Sequence, residues 1–158
     1  MTEAVKQEEL ESQPRHGVDL NGEFRFKVDS KGRVALPAKF RKVLSKDLVV
    51  TLELGDECVY VFETPDFNDW VNKLFVDKFG EFKESDRMHV ALRRKLKGRA
   101  RDVEVDASGR IMLPAEVRAA AGIDKEVVIV GNTGRFEIWD AKRYEQVDDG
   151  IDLSLFYS

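Results

Sequence analysis

Fifteen residues that occur twice decide most of what this chain can become. Residues 27–41, Lys-Val-Asp-Ser-Lys-Gly-Arg-Val-Ala-Leu-Pro-Ala-Lys-Phe-Arg, lie over residues 104–118, Glu-Val-Asp-Ala-Ser-Gly-Arg-Ile-Met-Leu-Pro-Ala-Glu-Val-Arg, at an offset of 77. Eight positions are identical: Val28, Asp29, Gly32, Arg33, Leu36, Pro37, Ala38 and Arg41 match Val105, Asp106, Gly109, Arg110, Leu113, Pro114, Ala115 and Arg118. Paired strand signals follow each copy, 48–54 then 58–63 in the first and 127–130 then 135–139 in the second. A recurrence of this kind marks a duplicated structural unit.

Each copy reads locally. Phe24, Phe26 and Val28 alternate with Arg25, Lys27 and Asp29, the period of two of a half-buried strand with one cationic face. Ser30, Lys31 and Gly32 form a turn in which Gly32 takes a positive φ and the Asp29 carboxylate accepts backbone N–H groups. Arg33 opens a short strand. Pro37 suits a first helical position, so 38–44 is expected to be a short helix, and a hairpin turning at 55–57 follows. The second copy repeats the order, with a turn at 107–109, a helix stopped by Gly122 and a hairpin turning near 132–134.

The residues between the copies differ in character. Thr64-Pro65 reads as an N-cap and first-turn proline, and Phe67, Trp70, Val71, Leu74 and Phe75 recur at helical spacing. A second helix is expected from about Glu84 to Gly98, with Met88, Ala91, Leu92 and Leu96 on its apolar face. From Arg87 to Arg101 there are seven bases and no acid, a run expected to be a solvated helix face.

Charge is distributed unevenly. Residues 1–23 and 145–158 each carry a net −4, and residues 24–144 carry +4, so acidic tails flank a mildly basic body that a polyanion could approach. No apolar run reaches the roughly 18 residues of a membrane span, and the first residues lack a secretory apolar stretch; a cytoplasmic protein is expected. Cys58 is the sole cysteine and His16 and His89 the only histidines, so neither a disulfide nor a zinc site built from them is expected, and no cofactor is called for. Cys58, Phe136 and Trp139 are expected in the core, His89 on a helix surface, and His16 in a disordered tail.

Four short strands and a short helix, about 45 residues, bury little surface alone. Two such units have to pair, and one chain carrying both can do so by interleaving their hairpins into a pseudo-symmetric barrel. The motif Val-Asp-Ser-Lys-Gly-Arg-Val-Ala-Leu-Pro-Ala-Lys-Phe-Arg resembles the duplicated motif of the MraZ family, and residues 130–140 resemble that family's second half. The likeness runs from about Gly22 to Tyr144 and includes both Asp-x-x-x-Arg motifs; the first 18 or so residues have no counterpart in it. It implies a mixed, mainly β fold: a duplicated, swapped-hairpin, AbrB-like barrel with short helices. The expected organisation is a tail at 1–20, repeats at 22–66 and 100–144, a two-helix insert at 67–98 and a tail at 145–158. It also implies a ring-shaped homo-oligomer that regulates transcription, usually as a repressor of the division and cell-wall gene cluster containing its own gene, in association with the nucleoid.

The residues supply a physical reason for double-stranded DNA as partner. An arginine fork holds a phosphate or, bidentate, a guanine edge. Arg33, Lys31, Arg25, Lys27 and Arg110 are the expected DNA contacts, while Asp29, Gly32, Asp106 and Gly109 organise the turns. The second turn lacks Lys31 and Lys27, being replaced by Ser108 and Glu104, so the first is the expected better reader. Two alternatives stand beside this. An aspartic-protease-like hydrolase would join Asp29 and Asp106 at a pseudo-twofold axis, but the following arginines oppose proton sharing. An antitoxin-like module would bind DNA and hold a protein partner through its acidic ends. No membrane and no small-molecule substrate is expected.

Overall fold

A computed structural model describes residues 18–157; the expectations for residues 1–17 lie outside it. Strand β1 (Glu23–Lys27) turns Phe24 and Phe26 toward the core and Arg25 and Lys27 outward, as the alternation requires. The order continues β2 (Arg33–Ala35), α1 (Ala38–Arg41), β3 (Asp47–Leu52), β4 (Val59–Glu63), α2 (Thr64–Phe79), α3 (Arg87–Gly98), β5 (Arg101–Glu104), β6 (Arg110–Met112), α4 (Ala115–Ala120), β7 (Glu126–Asn132), β8 (Arg135–Asp140) and α5 (Ala141–Asp148). A 3-10 turn spans Leu153–Phe156.

Six strands form one antiparallel sheet in the order β1-β7-β8-β4-β3-β5, and β2 pairs with β6 as a separate ribbon. The exchange between repeats is explicit in the register. Strand β1 of the first repeat pairs with β7 of the second, Arg25 opposite Val128, and β5 of the second pairs with β3 of the first, Leu48 opposite Val103. A pseudo-twofold relation therefore passes between β8 and β4. The expected barrel is realised as an open sheet plus a ribbon: among the described residues no ladder joins β1 to β5, because β2 and β6, three residues each, pair with one another.

Alternation along the central strands builds two cores. Leu48 and Val50 of β3, Val59 and Val61 of β4, and Phe136 and Ile138 of β8 face Val34, Ile111, Leu36, Leu113, Phe40 and Val117 from the ribbon and the short helices. Val49 and Phe62 face the other way, onto Phe67, Val71 and Phe75 of α2. Phe136 and Trp139 are core residues as expected, as is Cys58, whose thiol is pushed well above its ordinary range by burial.

Several local expectations are corrected. Helix α1 stops at Arg41 and continues as turn to Leu44. Helix α2 has Glu63, in extended conformation, as its N-cap rather than Thr64; no side chain caps it, since the Glu63 carboxylate accepts from Ser45 N at 2.9 Å. Helix α3 begins at Arg87, capped by Asp86 through Met88 N and His89 N. The loop before it folds back, so His89 is 6% exposed rather than on the surface: its Nδ1 accepts from Lys83 N at 3.0 Å, and Phe75, Phe79 and Phe82 surround its ring. Burying His89 turns part of the expected apolar face outward, with Met88 63% and Leu92 39% exposed, while Leu96 packs against the second core and Ala91 is half-buried. Helix α4 ends as expected at Gly122, with Ile123 N donating to Arg118 O and Gly122 N to Ala119 O, a Schellman end.

Phe40 ties the repeats together: fully buried on α1, it meets Phe24 of β1 at 5.4 Å edge-on and Phe136 of β8 at 5.5 Å. Phe40→Ala is expected to lower stability by about 3–5 kcal/mol, the usual cost of emptying a buried phenylalanine site. A denaturant midpoint within error of the unsubstituted protein would contradict this packing.

Candidate nucleic-acid interface

The two turns are built alike. In the first, Gly32 N donates to Asp29 O at 3.0 Å and Asp29 N to Arg33 O at 2.9 Å, closing the corner. Asp29 Oδ1 accepts from Lys31 N at 2.9 Å and Arg33 N at 2.8 Å, and Oδ2 accepts from Arg33 Nε at 2.8 Å. In the second, Asp106 Oδ1 accepts from Ser108 N at 2.9 Å and Arg110 N at 3.0 Å, and Oδ2 from Arg110 Nε at 3.1 Å. The Arg33 N–H bond is the largest influence holding the Asp29 carboxyl below its ordinary value, and the Arg110 N–H bond plays that part for Asp106.

Both carboxylates are thus stabilised in their charged form. Proton sharing between two aspartates needs one of them neutral, so the geometry argues against the hydrolase alternative.

Pairing of β2 with β6 brings the turns together. Val34 lies opposite Ile111, both buried, while Arg33 faces Met112 and Arg110 faces Ala35 on the outward side. Arg33 and Arg110 are diagonal neighbours on one face of the ribbon, a separation of about 7–8 Å. The contact crosses between repeats, for Arg110 Nη1 is 3.8 Å from Asp29 Oδ2. The ladder is extended by Leu36 N donating to Gly109 O and Leu113 N to Gly32 O, both at 2.9 Å.

Gly32 and Gly109 have φ of +85° and +78°, and each is also crowded by an arginine of the other repeat. A Cβ on Gly32 would lie 2.8 Å from Cζ of Arg118, whose Nε donates to Leu113 O. Arg41 packs over Gly109 in the same manner. Arg41 and Arg118 were visible in the sequence as repeated positions without an assigned role; their place over the opposite turn is a tertiary fact.

The Arg33 side chain remains 29% exposed and that of Arg110 33% exposed, so exposure does not separate them. Charge does: the Nη atoms of Arg33 make no hydrogen bond among the described residues, whereas Arg110 also approaches Asp29, and Lys31 stands exposed where the second turn has Ser108. Arg25 and Lys27 lie on the outward face of β1, Arg25 paired with Glu145 at 3.1 Å and Lys27 opposite Glu126. Glu104, at the position matching Lys27, pairs with Lys46.

The basic run 87–101 is divided: Arg87, Arg94 and Lys95 are exposed, as expected of a solvated face, and the other four bases are engaged within the molecule. Arg93 pairs with Glu84, Lys97 with Asn68, Arg99 with Asp56 and Arg101 with Glu116. Among the described residues no group of histidine, cysteine and carboxylate side chains is arranged to hold a metal ion, and no helix is long and apolar enough to cross a membrane.

Comparison with known proteins places these features. The family described as "MraZ protein, putative antitoxin-like" matches residues 20–91 and 96–157. A transcriptional regulator MraZ of Natranaerobius thermophilus is 39% identical over 134 residues, covering 85% of this chain and 90% of that protein. Proteins of the same name from Alcanivorax borkumensis and Shewanella baltica are 33% and 32% identical, covering 84% and 82% of this chain and 90% and 86% of their own lengths. Both halves of the duplication fall within the match, and the chain therefore belongs to the MraZ family of transcriptional regulators, which is not a family of enzymes.

Proposed function

We propose that this protein regulates transcription by gripping duplex DNA with its paired turns. The observation that carries the reading is the outward face of the β2-β6 ribbon, where Arg33 and Arg110 stand diagonally, each aimed by its own aspartate. Because Nε is held by the carboxylate, the two Nη groups of Arg33 point their donors at an incoming phosphate or guanine edge with little side-chain freedom left to lose. Lys31 adds a phosphate contact from the same turn, Lys27 adds charge along β1, and Arg25 adds its own on exchanging Glu145 for a phosphate. In the finer form of the proposal, a ring of copies represses the division and cell-wall genes around its own, on promoter DNA with repeated boxes. The family resemblance supports that form.

Arg33→Ala is expected to abolish most operator binding in a gel-shift titration while assembly and thermal stability stay as they were; Arg110→Ala should weaken binding less. One lost bidentate base contact corresponds to about 1–3 kcal/mol per site. If Arg110→Ala is the more damaging, the ranking of the turns is reversed.

The aspartates set the pH behaviour. Both have folded values below the ordinary 3.8, so their contribution to the turns is complete above that value and disappears as pH falls through the lower folded one. Titration of Asp29 and Asp106 is therefore expected to leave binding level between pH 5 and 8, and Asp29→Asn, which removes the charge, should weaken binding at every pH in that window. An Asp29→Asn protein with wild-type affinity would mean that the charge does not aim Arg33.

A turn with two or three phosphate contacts binds weakly, and a ring would gain affinity from later contacts becoming intramolecular. Boxes recurring at about 10 base pairs, one helical turn, should bind far more tightly than a single box or boxes offset by half a turn. Binding should fall steeply with salt as counterions are released. Equal affinity for single-box and multi-box fragments, measured by fluorescence anisotropy, would remove the avidity argument.

A further inference from the structure

Two surfaces of this chain are apolar, exposed and opposite in charge. A groove of about 580 Å³ is lined by Leu54, Leu74, Phe75, Phe79, Leu92 and Leu96, where α2 and α3 meet the loop after β3. Its lining carries Lys78, Lys95 and Arg99 against the acid Asp77. Asp77 is neutralised by Lys73 and Arg99 by Asp56, whereas Lys78 and Lys95 have no ion pair among the described residues. The groove thus presents two uncommitted positive charges beside an apolar floor.

The second surface is the segment after α5. Ile151, Leu153, Leu155, Phe156 and Tyr157 are all exposed, Phe156 to 88%. Asp148, Asp149 and Asp152 accompany them, again without an ion pair among the described residues. The segment is shaped in advance: Asp152 caps the 3-10 turn, accepting from Ser154 N at 2.9 Å and Ser154 Oγ at 2.7 Å. Preforming the turn reduces the ordering cost of docking. Five large apolar side chains standing together in water mark an interaction surface.

We infer that the segment Ile151–Tyr157 of one copy seats in the α2-α3 groove of a second copy, with Asp152 and the preceding Asp148 and Asp149 meeting Lys78 and Lys95. A second copy is the occupant for two reasons. The charges match, and within one chain the segment leaves from α5, which is fastened to β1 by Tyr144 on Glu23 and Glu145 on Arg25, whereas α2 packs over β3 and β4 at the far side of the strand order. Groove and segment are different patches, so unless two copies exchange segments reciprocally the contact is heterologous and repeats from copy to copy until it closes. This deepens the assembly proposed above by naming its joint, and rests on that reading only for closure into a ring.

The test is complementation, read as mass by size-exclusion chromatography with light scattering, with circular dichroism to verify folding. The full chain is expected to run as a large assembly. A chain ending at Gly150 keeps the groove and loses the segment, and Leu92→Glu keeps the segment and spoils the groove; each should be monomeric. Mixed in equal amounts they should form a dimer and nothing larger, since only one productive contact remains. Should Leu92→Glu fail to fold, Lys95→Glu and Asp149→Lys serve instead: each lowers assembly alone, and the two together restore it. A shortened chain of unchanged mass, or a mixture that stays monomeric, overturns the inference. The shortened chain should still bind a single box with unchanged affinity. A wild-type assembly that ignores operator DNA would sink the DNA reading and leave this joint standing.

Discussion

The mutual loan of strands between the two repeats governs the rest of the molecule. Neither repeat covers its own central strands: β3 is flanked on its outer side by β5 from the other repeat, and β7 by β1. Only this crossing brings β2 and β6 close enough to pair, and their pairing places Val34 and Ile111 over one shared core. Phe40 is held between β1 of its own repeat and β8 of the other, so the hydrophobic free energy that stabilises one repeat depends on the other being in place.

The candidate DNA surface inherits its geometry from that arrangement. A lone Asp-x-x-Gly-Arg corner would hold one guanidinium. Two corners joined by a three-residue ribbon hold two at a defined spacing, with an arginine of the opposite repeat laid over each glycine. Glycine at these places answers two demands together, a left-handed φ and the close passage of Arg41 or Arg118, which an added Cβ would obstruct.

What could be read from the sequence was whatever is local or repeated. The carboxylate bonds of Asp29 and Asp106 follow from spacings of two and four residues, and the alternation of Phe24 with Arg25 fixes which side of β1 meets the core. Properties that depend on distant contacts were not legible. His89 looks like any helix-surface residue until the loop carrying Phe82 and Lys83 closes over it. Met88 and Leu92 have core-like spacing, yet spacing cannot say whether a helix face has anything to pack against. Arg41 and Arg118 sit in short helices whose direction over the opposite turn is set by the crossing of the hairpins.

Among the described residues the sheet has two free borders, β1 and β5, each with one row of backbone donors and acceptors left unladdered. Such borders invite strand-on-strand growth from molecule to molecule. Here both borders are short and densely ionic, Glu-Phe-Arg-Phe-Lys on one and Arg-Asp-Val-Glu on the other. Stacking another chain there would crowd ionised groups together and strip their hydration, which discourages fibre-like polymerisation. Any joining of one copy to another is thereby left to side chains, whose shape determines where it stops, rather than to the backbone.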